Sequence, residues 1–149
     1  MIDLGTEKIA DVAGEIDSLL AMHYDEIAAD KHLIKLDPDW GKYESLERDD
    51  SLRIFTARHE GKLIGYSVFF LAWHPHYKSN LFAQNDILYL HPDHRKGRDG
   101  IRLIHYSEEQ LKKDRVDKIM WHVKVKNDWR KILARMGYVE QDVIMAKAV

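Results

Sequence analysis

The run Gly65-Tyr66-Ser67-Val68-Phe69-Phe70-Leu71 is almost continuously apolar. A strand with one wet face alternates apolar and polar residues, so an unbroken run of aromatic and aliphatic side chains calls for cover on both faces. A sheet built around this strand therefore needs layers above and below it. Two segments are patterned to supply them. From Thr6, a plausible N-cap, the residues Ile9, Val12, Ala13, Ile16, Leu19, Leu20, His23, Tyr24 and Ile27 recur at helical spacing, and that stripe is read as core with no functional role. A later segment running to about Lys113 repeats the pattern with Ile101, Ile104, His105 and Leu111. A chain of 149 residues buries about 68–70% of its unfolded surface, enough for one such core, so residues 1–149 are read as a single domain.

The remaining elements follow from local patterning. Leu36-Asp37-Pro38-Asp39-Trp40 reads as a turn before a short helix from Trp40 to Asp49. Leu52–His59 and Lys62–Trp73 are strands joined at Glu60-Gly61, and a loop with Pro75, Ser79 and Asn80 precedes a third strand, Asp86–Leu90. Further on, Lys118–Val125 reads as a strand, Asn127–Met136 as a helix closed by Gly137, and Tyr138–Lys147 as a last strand. The fold class is α/β, a mixed sheet with helices on both faces.

Composition narrows the function classes. Lys and Arg number 23 against 25 Asp and Glu, a net charge of −2, which gives no general attraction to nucleic acid. The absence of cysteine removes disulfides, thiolate metal sites and cysteine nucleophiles, and fits a cytoplasmic, reducing setting. No apolar run reaches the 18 or so residues of a membrane span, and Met1-Ile2-Asp3-Leu4 lacks the features of a secretory signal. His74 and His76 flank Pro75 with no third ligand at sensible spacing, so no metal site is expected.

The most informative stretch is His94-Arg95-Lys96-Gly97-Arg98-Asp99-Gly100, between the third strand and a helix. A strand, a basic glycine-containing loop and a helix N-terminus form a recurrent anion site. The first helical N–H groups are unpaired, the helix dipole is positive there, and glycine permits close approach. A diphosphate suits it. Gly97 and Gly100 are expected to supply the bends, and Arg95, Lys96, Arg98 and Arg102 the charge. The spacing is neither a Walker A loop nor a dinucleotide fingerprint.

This segment resembles motif A of the GNAT family of acetyl-CoA-dependent N-acetyltransferases, in which a strand and a His-Pro-like turn lead into Arg/Gln-x-x-Gly-x-Gly/Ala and a helix. Arg95 matches the first position and Gly100 the last; Arg98 replaces the central glycine, and Gly97 falls one place early. Element order resembles the family along the whole chain. His23-Tyr24, Leu36 to Trp40, Tyr43 and Arg95 to Arg98 are similar, in particular, to small members encoded by bacteriophages and prophages. The resemblance implies a central, mostly antiparallel sheet splayed at a cleft for acetyl-CoA. Pantetheine would lie along backbone at Leu88 and Leu90, and the pyrophosphate on N–H groups between Arg95 and Ile101, including those of Lys96, Gly97, Arg98 and Gly100. Asn127 would stand near the pantetheine arm. A homodimer is compatible with the fold.

The implied activity is acetyl transfer from acetyl-CoA to a primary amine, on a small molecule or a protein, by direct attack. A lysine-like amine has a pKa of about 10.4, so a base or water relay assists. Asp86 stands where many family members carry an acid acting through water. Strand alternation puts it on the side of Leu88 and Leu90, facing the cleft, although a strand-entry aspartate bonded to backbone is an equal reading. His122 is a second candidate base, with a packed, hydrogen-bonded core histidine the favoured alternative. The tyrosine that the family often uses to protonate the departing thiol is replaced by Leu133, counting back from Gly137. Asp37, Pro38, Asp39, Trp40 and Tyr43 fall on the acceptor side, where an acidic and aromatic rim would suit a cationic amine; a turn and helix start with Trp40 as an anchor is at least an equal reading. The other class of function is a catalytically weak or inactive binding module with the same fold, for instance a phage protein that engages a host partner.

Overall fold

The computed structural model describes residues 1–149. A five-stranded sheet runs in the order β1 (Asp3–Thr6), β2 (Leu52–His59), β3 (Lys62–His74), β4 (Tyr77–Leu90), β5 (Lys118–Met120). The first four strands are antiparallel and β5 joins β4 in parallel. The β2–β3 hairpin turns at Glu60 and Gly61, both at positive φ, as a tight two-residue turn requires.

β3 is covered on both faces, as its apolar run demands. Tyr66 and Val68 pack under α1 (Ile9–Ile27) with Val12 and Ile16, and α2 (Trp40–Arg48) lies against the same face. Phe69 and Leu71 pack on the other face with Leu103 and Leu111 of α3 (Asp99–Lys113). Gly65 lets β3 and β4 approach: a Cβ there would stand 2.8 Å from the Tyr89 carbonyl oxygen and 2.8 Å from the Leu90 side chain.

Several boundaries differ from the expectations. Thr6 ends β1, a strand whose four residues carry no alternation, and the cap of α1 is Lys8. The expected loop around Ser79 and Asn80 is strand, because β4 pairs back to Tyr77 against the far end of β3. That pairing is tertiary and overrides weak local propensity. β5 stops at Met120 instead of Val125, the last helix, α4, is Arg130–Arg135, and Gly137 follows it at φ 92°. The expected strand Tyr138–Lys147 does not form, and Val139 and Met145 are 86% and 89% exposed. A strand needs a ladder to join, and β5 ends too early to offer one.

Candidate active site

β5 touches β4 only at Phe82, Ala83 and Gln84, so the edge of β4 from Asn85 to Leu90 is open on that side. The Leu90 carbonyl points into this gap, where it accepts a hydrogen bond from Arg95 Nε at 2.7 Å. Backbone groups alternate along a strand, so those of Leu88 face the gap as well, while Tyr89 faces β3. The gap opens into a cleft between β4, α3 and the segment before α4. Leu88, Leu90, Arg95, Gly97, Gly100 and Ile101 line it, and Asn127 reaches it from the segment before α4.

The loop end of the cleft is rich in unengaged donors. None of the backbone N–H groups from Lys96 to Ile101 makes a hydrogen bond within the chain, and the first engaged one, Arg102, bonds Arg98 at 2.9 Å. Gly97 lies in a bend, as expected, while Gly100 is already in the first turn of α3, and neither is left-handed: among the glycines, positive φ occurs at Gly61 and Gly137. Arg98, in the central glycine position, caps α3 at φ −99°, an ordinary angle for any side chain. What the two glycines contribute is open space at the cleft. A Cβ on Gly97 would meet nothing, and one on Gly100 would meet only Leu90 at 3.6 Å. Lys96 and Arg98 are exposed and carry no ion pair.

Arg95 is different, because its charge is already matched. Its two terminal nitrogens grip the Glu26 carboxylate, one at 2.8 Å, and the guanidinium lies over the Tyr89 ring at 5.6 Å. Glu26 is held below the usual carboxylate range chiefly by this bond. Glu26 and His23, one turn apart on α1, both line the cleft, so the α1 stripe is not purely core. The His23 ring packs on Tyr89 at 5.2 Å, and burial lowers its pKa. His23 was legible as a polar interruption of an apolar stripe; Glu26 had no such signal.

The other end of β4 holds the candidate base. The β3–β4 register slips between Val68 and Phe69, whose partners are Ile87 and Asn85, leaving Asp86 as an extra, bulged residue. Buried Asn85 holds the bulge by donating to the carbonyls of Val68 at 3.2 Å and Ile87 at 2.9 Å. The bulge breaks the alternation expected for Asp86, Leu88 and Leu90. Asp86 turns instead toward α2, where its Oδ2 accepts a 2.7 Å hydrogen bond from the Tyr43 hydroxyl. It makes no bond to loop backbone. Burial raises its pKa, against smaller lowering effects of Tyr43 and of charged His122.

His122 is exposed and touches only the Gln84 side chain, at 3.4 Å, which overturns the core-histidine reading: the chain has left the sheet by this point. Leu133 is the buried residue of α4 and offers no proton. His74 and His76 stack edge-on at 5.4 Å on the hairpin tip, far along the sheet from the cleft. Of the expected acceptor rim, Asp39 caps α2 by accepting from the Lys42 N–H at 2.9 Å, and Trp40 packs against the core beside Tyr43.

A mixed sheet parted at one seam, with donor-rich backbone at the mouth of the seam, offers a site for an extended, anionic ligand. The chain matches the model of the acetyltransferase (GNAT) family over residues 17–138, and it belongs to that family. Solved structures agree on the fold. The ribosomal-protein-alanine N-acetyltransferase of Brucella melitensis biovar Abortus 2308 is 22% identical, with TM-score 0.74 over 100% of this chain and 99% of its own. A predicted acetyltransferase from Clostridium acetobutylicum, solved with acetyl-CoA, is 14% identical with TM-score 0.76, over 99% and 96%. The aminoglycoside acetyltransferase meta-AAC0020 from an uncultured soil metagenomic sample, solved with sisomicin, is likewise 14% identical with TM-score 0.76, over 99% of this chain and 96% of its own. No curated protein matches the chain in sequence.

Proposed function

We propose that the chain transfers an acetyl group from acetyl-CoA to a primary amine. The observation that carries this reading is the unbroken run of unengaged N–H groups from Lys96 to Ile101, set where the open edge of β4 meets α3. Such a run accepts a diphosphate. Pantetheine would extend from it along Leu88 and Leu90 as an added strand, with Asn127 across the cleft. Lys96 and Arg98 would contribute charge from outside. The amine nitrogen attacks the thioester carbon, an N–C bond forms, the C–S bond breaks, and Asp86 takes the amine proton directly or through water. With Leu133 in place of a tyrosine, the thiolate takes its proton from solvent, which a thiol of pKa about 8.5 tolerates. His122, exposed beyond β5, is the second candidate base of this reading. The work would take place in the cytoplasm on a small or protein-borne amine.

The test is thermal unfolding with acetyl-CoA or CoA, for the native chain and for Gly100→Asp, followed by an amine screen. At hundredfold excess over its dissociation constant the ligand stabilises by about 2.7 kcal/mol. Gly100→Asp, which sets a carboxylate among the donors, is expected to remove most of that shift while the free protein unfolds as before. An unshifted native chain at millimolar ligand would reject the cleft assignment. A second reading, a weak or inactive module of the kind phages encode, is favoured by Leu133 and by the neutralised Arg95. It predicts ligand binding without turnover on any amine.

A further inference from the structure

We propose that Tyr43 is a positioning residue for acyl transfer: its hydroxyl holds one oxygen of the Asp86 carboxylate and leaves the other free to receive the amine proton. The inference rests on the reading of Asp86 as the base.

Most of the other carboxylates with a side-chain contact show what Asp86 lacks, although half-buried Glu47 also has no cation and accepts only the Ile9 N–H, at 2.9 Å. Glu7 and Glu15 pair with Arg58, Glu26 with Arg95, Glu108 with Lys112, and Asp114 with Arg53. Asp86 pairs with no cation and has one hydrogen bond, from Tyr43. With a single neutral donor on one oxygen and no partner on the other, the Asp86 carboxylate has an oxygen at which it can exchange a proton.

Tyr43 is itself fixed. Its ring packs on Trp40 at 5.8 Å and Phe70 at 6.1 Å, and the Asp39 cap anchors the first turn of α2. From the other side, Asn85 fixes the bulge that aims Asp86. The carboxylate is therefore held from both ends. The groups facing it are Tyr43 from α2, Tyr66 from β3, whose buried hydroxyl has no partner, and His122 beyond β5. Of the three, Tyr43 alone bonds it. Its bond favours the charged form and opposes burial, which favours the neutral one. Removing the hydroxyl while keeping the ring isolates that effect.

The experiment compares the native chain with Tyr43→Phe and Asp86→Asn. The Asp86 carboxyl is titrated by carbon NMR in aspartate-labelled protein, its resonance assigned by its loss in Asp86→Asn. In parallel, slow acetyl transfer to water is followed as thiol release from acetyl-CoA across pH. In Tyr43→Phe the Asp86 midpoint is expected to rise, because burial is then less opposed, and the acid limb of the rate profile to rise with it. The KM for acetyl-CoA should not change, since Tyr43 lies outside the cleft lining. An unmoved Asp86 midpoint overturns the positioning role even if Asp86→Asn abolishes turnover. An Asp86→Asn enzyme that keeps its rate and its acid limb removes the base reading, and the proposal with it.

Discussion

The two ends of β4 treat their charged residues in opposite ways. At the loop end, Arg95 is fully engaged: Glu26 matches its charge, the Leu90 carbonyl takes a further donor, and Tyr89 lies under its face. At the bulge end, only five residues from the loop, Asp86 sits partly buried with one neutral donor and no counter-charge. The first arrangement stabilises the loop and costs little to maintain. The second is held against its own desolvation by the bulge and by Tyr43. A half-buried carboxylate without a counter-charge is the costlier of the two arrangements, and the bulge is therefore where chemistry is to be tested.

The sharpest way to break this contrast is Asp86→Asn. The rate of acetyl transfer should fall by about 10²–10⁴, the usual contribution of a positioned base. Stability should move the other way. Folding raises the Asp86 pKa, so ionising it in the folded state carries a cost. That cost is absent below the unfolded value of about 3.9, grows as pH rises through the folded value, and is constant above it. Asn carries no such cost, so the variant should unfold at a higher temperature at pH 7 than the native chain, with the gain gone by about pH 3. Melting curves at both pH values check this. A variant less stable than the native chain at pH 7 would make Asp86 part of the scaffold.

Gly65→Ala probes the loop end as scaffold. The added methyl would stand 2.8 Å from the Tyr89 carbonyl oxygen, which is backbone and cannot rotate away. Overpacking of this kind costs about 1–3 kcal/mol. Denaturant unfolding should register that loss, and the acid limb of the rate profile should stay in place because the Asp86–Tyr43 pair is remote from the strain. A shifted limb would mean that the two ends of β4 are mechanically coupled.

How far these ends were legible in the sequence follows the same division. The loop is a local object. Its glycines, basic residues and following helix lie within about ten residues, so the anion site and the family resemblance could be read directly. The covered strand Gly65–Leu71 was legible for the same reason. The bulge was not, because register is a relation between strands: alternation put Asp86 beside Leu88 and Leu90, and the slip opposite Val68 and Phe69 turned it toward Tyr43. Nor could local patterning show that β5 ends at Met120, which left His122 exposed and deprived Tyr138–Lys147 of a ladder. Glu26 was invisible because nothing in α1 announces that its last turn reaches a loop about seventy residues further on.

Glu26→Gln gives the smallest effect and the finest distinction. Two roles for Glu26 predict opposite signs. If it chiefly fixes Arg95 in place, its neutralisation loosens the loop and weakens acetyl-CoA binding. If it chiefly cancels positive charge at the mouth of the anion site, neutralisation strengthens binding. The geometry favours the second. Arg95 keeps its bond to the Leu90 carbonyl and its contact with Tyr89 without Glu26, and the glutamine oxygen can still accept one guanidinium bond. A unit negative charge is removed from the lining of the cleft. Affinity for acetyl-CoA by calorimetry is therefore expected to rise by about two- to fivefold at low salt, and the gain to shrink at higher ionic strength as the Debye length falls to about 8 Å and below. Weaker binding, independent of salt, would reassign Glu26 to the scaffold alone and make the Arg95–Glu26 pair a precondition of the site.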